Sequence, residues 1–134
     1  MSLYLEKAEK VRAITEYHVN CAQALVTTFA DVMGIDEETA MRMAANFGAG
    51  MKMGATCGAI TGALMVLGLA GIDDVEVLRR VYASVKENHE GKLDCRDLLA
   101  LNAKTGRPRK QHCDGMVYEL TALTEEILRE NGKL

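Results

Sequence analysis

Residues 53–72 read MGATCGAITGALMVLGLAGI, twenty consecutive positions without a charge in a chain where 26% of residues are charged. The run is long enough to span a bilayer as a helix. Five glycines, with Thr56, Cys57 and Thr61, dilute it well below a Leu-rich span. The segments on either side are amphipathic and each needs an apolar partner, so the run reads as a buried helix around which they pack, and not as an integral membrane segment. Gly54, Gly58 and Gly62 recur every four residues and would form one smooth stripe on that helix, wide enough for a neighbouring backbone or for a group beside it. A homodimer contact is a further use of such a stripe.

Working outward, residues 3–32 carry Leu5, Ala8, Val11, Ile14, His18, Cys21, Leu25 and Phe29 at helical spacing, which predicts one long helix with a bend near Tyr17 and a stop at Gly34. Asp36 caps a second helix through Ala40, Met43, Ala44 and Phe47. Gly48-x-Gly50-x-x-x-Gly54 has the outline of a dinucleotide loop, but no strand precedes it and the spacing is off by one, so it reads as a hinge. Met41, Met43, Met51 and Met53 read as core filling rather than soft-metal ligands. The charge-free run supplies a third helix from about Ala55 to Ala70. Asp73-Asp74 opens a fourth, through Val75, Val81 and Val85, that stops at Gly91. Cys95 begins one or two helical turns, residues 102–112 read as a basic loop, and a last helix runs from Cys113 to Arg129.

With 134 residues, one proline, no tryptophan and 4% aromatics, the expectation is a single all-α domain over 1–134, a bundle of about five helices around a buried Gly-rich one. The net charge of −3 removes the footprint of a general nucleic-acid binder. No apolar run follows a basic one at the N-terminus, so a cytoplasmic location with reduced thiols is expected.

The four cysteines, Cys21, Cys57, Cys95 and Cys113, include no CxxC pair, so zinc-ribbon and thioredoxin-type readings fall away. Cys57, Cys95 and Cys113 fall at expected helix starts, where free N–H groups and a partial positive charge stabilise a thiolate. Cys21 is expected within a helix, with His18 three residues before it on the same face, able to orient it or to share a metal. The glycines beside Cys57 make that residue the expected attacking thiol, with Cys113 or Cys95 resolving. The alternative chemistry is a soft transition metal or an iron–sulfur cluster held by Cys21, Cys57, Cys95 and Cys113.

The pattern Asn20-Cys21-Ala22-Gln23, then Phe47-Gly48-Ala49-Gly50, then Cys57-Gly58-Ala59-Ile60-Thr61-Gly62, then Cys95-Arg96-Asp97 and a late Cys113, resembles the redox-active protein family named for its C, GCAxxG, C, C cysteines. The resemblance covers about residues 5–128 and departs in one place, Thr56 standing directly before Cys57 where the family has glycine. It implies that Cys21, Cys57, Cys95 and Cys113 carry the chemistry and that Gly58, Ala59 and Gly62 are the small residues beside it, with His18 the remaining cofactor-binding candidate. It also implies an unidentified redox partner, a transport system being one candidate. No agreed substrate or reaction comes with it, so three roles stand: a thiol–disulfide oxidoreductase, a metal or cluster carrier, and an interaction protein whose cysteines sense redox state.

Overall fold

The computed structural model describes residues 2–134, and within them the chain is helical throughout, with no strand. Eight α-helices run in chain order: α1 (Leu3–Arg12), α2 (Cys21–Thr28), α3 (Ala30–Met33), α4 (Glu37–Met43), α5 (Gly58–Leu69), α6 (Val75–Asn88), α7 (Cys95–Thr105) and α8 (Arg109–Glu130). A tight turn at Gly50–Gly54 joins α4 to α5. The all-α expectation holds; the count of about five does not, because the long first helix is three pieces. After Arg12 the chain leaves helical geometry and restarts at Asn20. There the Asn20 side chain accepts from the Gln23 backbone N–H at 2.7 Å, while the Gln23 side chain accepts from the Asn20 N–H at 2.9 Å. This reciprocal pair satisfies two orphan donors and makes Cys21 the first residue of a helix rather than the middle of one.

The centre of the molecule is the pair α2 and α5. Gly58 lies against the Ala22 nitrogen and the Cys21 Cβ, and Gly62 against Ala22 and Leu25, so the two helices run parallel with their starts at the same end. Contact is close enough that only glycine fits: a methyl group on Gly62 would lie 2.7 Å from Leu25 Cβ and 2.9 Å from the Ala22 carbonyl oxygen. The expected stripe therefore holds at Gly58 and Gly62. Gly54 leaves it, since it belongs to the turn and faces Arg96.

Helices α1 and α8 pack against this pair and run antiparallel to each other. Their ends are joined by an ion pair from Arg12 Nε to Asp114 Oδ1 at 2.6 Å, with Arg12 also donating to the Val19 carbonyl at 2.8 Å. Tyr4 stacks on Phe29 with ring centroids 4.8 Å apart, tying α1 to the end of α2. The run at 53–72 becomes a twelve-residue buried helix, and no helix of the described residues is long and apolar enough to cross a membrane.

Two local expectations are corrected. The basic loop at 102–112 is mostly helix: α7 extends to Thr105, only Gly106–Pro108 lie between, and Arg109 already opens α8. Pro108 is well suited to that border, since it lacks an N–H and has a fixed φ. Of the four methionines only Met41 packs against the core. Met43, Met51 and Met53 are exposed, the last two because the turn carries them outward.

Glycines on α5 give a direct test of which face is packed. Gly68 has open space where a Cβ would go, whereas Gly62 has none. Gly68→Ala should raise stability by about 1 kcal/mol through helix propensity, and Gly62→Ala should lower it by about 1–3 kcal/mol through overpacking. Chemical denaturation of the two variants beside the parent will show the opposite signs.

Candidate functional site

Three cysteine-bearing chain segments meet at the shared end of α2 and α5. Cys21 opens α2. Cys57 is the residue just before α5, at the cap position of that helix. Cys95 opens α7. The last two are held together by a short antiparallel bridge between Thr56 and Asp94, in which the Cys57 N–H donates to the Leu93 carbonyl at 3.0 Å and the Cys95 N–H donates to the Ala55 carbonyl at 2.6 Å. Residues 38 positions apart in sequence are thus paired before their helices diverge. Cys113 comes from α8, in its second turn rather than at its start. All four line one cavity of about 970 Å³.

None of the four is in a disulfide. Their environments separate them. The neighbouring Cys21 thiol is the largest influence holding the Cys113 pKa down, to about 6. Burial opposes it, and the Arg109 guanidinium, one turn earlier on α8, and the charge of Arg12 support it. The nearness of Cys113, with burial next, pushes Cys21 far above the ordinary thiol range. Ionisation is therefore favoured at Cys113 and opposed at Cys21. Burial pushes Cys57 up to about 11, outweighing the two N–H groups at its helix start. Cys95 is raised by burial and by the charge on Cys113, while Arg109 pulls the other way.

Helix starts alone therefore do not select the ionised thiol. The partial charge of a helix end stabilises an anion by about 0.3–1 kcal/mol at exposed positions, and desolvation of a buried sulfur exceeds that here. The expectation that a depressed pKa sits at Cys57 is replaced by Cys113, where a neighbouring thiol and two guanidinium groups act together.

His18 is exposed and lies at the cavity lining, outside the helix that Cys21 starts. Gly58 borders the cavity, whereas Ala59 is fully buried and Gly62 is occupied by its contact with α2. His112, buried at the cavity, has its pKa lowered by burial and then by the neighbouring His89 and Arg107. A metal or cluster would need several ligands to converge. Among the described residues no three His, Cys, Asp or Glu side chains are grouped closely enough to hold an ion, so the four sulfurs share a cavity without forming a ligand set.

The turn at 49–54 forms another part of the wall. Ala49, Gly50, Met51 and Lys52 all have positive φ, at 52°, 62°, 59° and 59°. For the three that are not glycine this costs roughly 1–2 kcal/mol each. Gly50 is obligatory, since a Cβ there would lie 2.2 Å from the Ala55 oxygen, and a Cβ on Gly48 would lie 2.6 Å from the Asn20 Cβ. The expected hinge is instead a close-packed left-handed turn, wedged between the Asn20 cap and α7, that carries Lys52 to the cavity.

Several contributors were not visible from periodicity. Asn20 and Gln23 fit the spacing of a capping box, a signal hidden by the apolar rhythm running across it. Arg12 has no sequence signal, because its partners Val19 and Asp114 are brought to it by the fold.

The described residues form a small all-helical fold with four free thiols lining one cavity. The comparison with known families is specific: residues 19–127 match the family described as "Putative redox-active protein (C_GCAxxG_C_C)", and the chain belongs to that family. Neither the curated proteins nor the solved structures searched gave a match.

The charge on Cys113 has a direct readout. Because its folded pKa is lowered to about 6, the thiolate is present above that pH and lost below it. Alkylation of reduced protein by iodoacetamide, followed by peptide mass, should label Cys113 first, with a rate that climbs through pH 6 and levels by about pH 7–8. The other three should still be gaining reactivity above pH 9.

Proposed function

We propose that this protein is a thiol–disulfide redox protein in which Cys113 attacks and Cys21 resolves. The observation that carries this reading is that Cys21 and Cys113, both free, line one cavity as neighbours, with the Cys113 pKa held down and the Cys21 pKa pushed up by that neighbourhood. Cys113 Sγ attacks one sulfur of an incoming disulfide, that S–S bond breaks, and one half leaves as a thiolate. The negative charge on Cys113 is then gone. With it goes the largest influence raising Cys21, so the Cys21 proton passes to the departing thiolate. Cys21 Sγ next attacks Cys113 Sγ, the mixed disulfide breaks and the second half leaves. Two electrons move from the protein dithiol to the substrate, and the reverse sequence reduces the protein. Arg109 and Arg12 hold the thiolate form in place.

Cys57 and Cys95, protonated and held side by side, are suited to receive the disulfide from the first pair or to stay as bystanders. A transport system as the physiological partner, and a cytoplasmic setting that keeps the resting thiols reduced, are consistent with this chemistry. Metal carriage is the second reading, supported only by the presence of all four sulfurs at one cavity.

Mild oxidation of the full-length protein should give a Cys21–Cys113 disulfide in peptide maps, retained in Cys57→Ser. Cys113→Ser should abolish it and lower the oxidation rate by about tenfold or more. Cys21→Ser should instead trap a small thiol on Cys113 as a stable mixed disulfide. A Cys57–Cys113 bond would keep the redox role and change the resolving residue. Stoichiometric iron or zinc on the purified protein, with no disulfide formed, would favour the metal reading.

A further inference from the structure

The cavity is more selective than thiol exchange requires. It is lined by four cations, Arg12, Lys52, Arg109 and Lys110, and by no Asp or Glu, although the whole chain has a net charge of −3. Arg12 and Lys110 share a single carboxylate, Asp114, at 2.6 and 3.1 Å. Lys52 and Arg109 make no ion pair among the described residues. Four positive charges, less one for Asp114 and one for the Cys113 thiolate, leave a surplus of two.

We propose that the cavity takes a small dianionic disulfide, one bearing a carboxylate on each half, as the oxidant of the Cys21–Cys113 pair. This rests on the thiol-exchange reading above. The cavity volume of about 970 Å³ suits a small molecule rather than the flat face of a protein. Ile14, Leu98, Leu99 and Met116 provide apolar wall for the carbon arms between sulfur and carboxylate. Lys52 adds a second, independent observation. Its backbone is held at φ 59°, a conformation that lysine adopts at a cost, and the turn that imposes it places the residue in the cavity wall, its exposed Nζ donating to Asn46 at 3.3 Å. Strain retained at such a place points to a role for the side chain it carries. In the reaction one substrate S–S bond is exchanged for the Cys21–Cys113 bond. The substrate is reduced to two thiols, each keeping its carboxylate; one takes the Cys21 proton and the other, which leaves as a thiolate, takes one from water.

The test compares three small disulfides of similar length: 3,3′-dithiodipropionate, bis(2-hydroxyethyl) disulfide and cystamine, which carry two negative charges, none and two positive charges. Each rate with reduced full-length protein is divided by the rate of the same disulfide with a free cysteine peptide, which removes leaving-group differences. An isolated thiolate repels the dianion and attracts the dication. The cavity should reverse that order, with a normalised rate for the dianion on the order of tenfold above the neutral compound and the dication slowest. Raising the salt should compress the spread, and Lys52→Glu should lower the dianion-to-neutral ratio several-fold. A flat or cation-favouring order, or an unchanged ratio in Lys52→Glu, overturns this inference while leaving thiol exchange standing, provided the Cys21–Cys113 disulfide still forms. If none of the three disulfides produces that bond, the thiol-exchange reading itself fails.

Discussion

Close contact between α2 and α5 at Gly58 and Gly62 is the constraint on which the rest depends. A side chain at either glycine would separate the helices. Two consequences follow from the fact that the helices are parallel and their starts level. The first is that Cys21 and Cys57 are brought to one end. The second is that the chain entering each helix must come from that end too, so the Asn20 cap, the left-handed turn and the bridge from Thr56 to Asp94 all gather there. Cys95 is added by the bridge, and Cys113 by α8 packing across the pair. Burying nearly all of α2 supplies the apolar contact that holds this arrangement.

Within that gathering, electrostatics divides four chemically identical side chains into distinct roles. A buried thiolate is costly, and four in one cavity would repel one another. One charge survives, where a neighbouring thiol and guanidinium groups meet it. The remaining thiols are kept protonated partly by burial and partly by that charge.

The left-handed turn shows how local cost is absorbed. Gly50 and Gly54 make its geometry accessible, and the Ala55 N–H donating to the Gly50 carbonyl at 3.0 Å closes it. Ala49, Met51 and Lys52 occupy positions that suit glycine better. They are held there because both ends of the turn are anchored, by Asn20 on one side and α7 on the other.

The all-helical class, the buried Gly-rich segment, the glycine stops such as Gly34, the Asp36 cap and the family's cysteine pattern were legible in the sequence, because they rest on local propensity, periodicity and motif spacing. The break between α1 and α2 was not: apolar spacing continues across residues 13–20, and it is the Arg12 guanidinium, bound to Val19 and Asp114, that stabilises the break from outside the segment. The outward-facing methionines and the helical start of α8 were likewise set by packing. Above all, which thiol carries the charge was decided by tertiary structure. A pKa reports desolvation and neighbours within a few ångströms, and the neighbours of Cys113, namely Cys21, Arg12 and Arg109, come from three different helices.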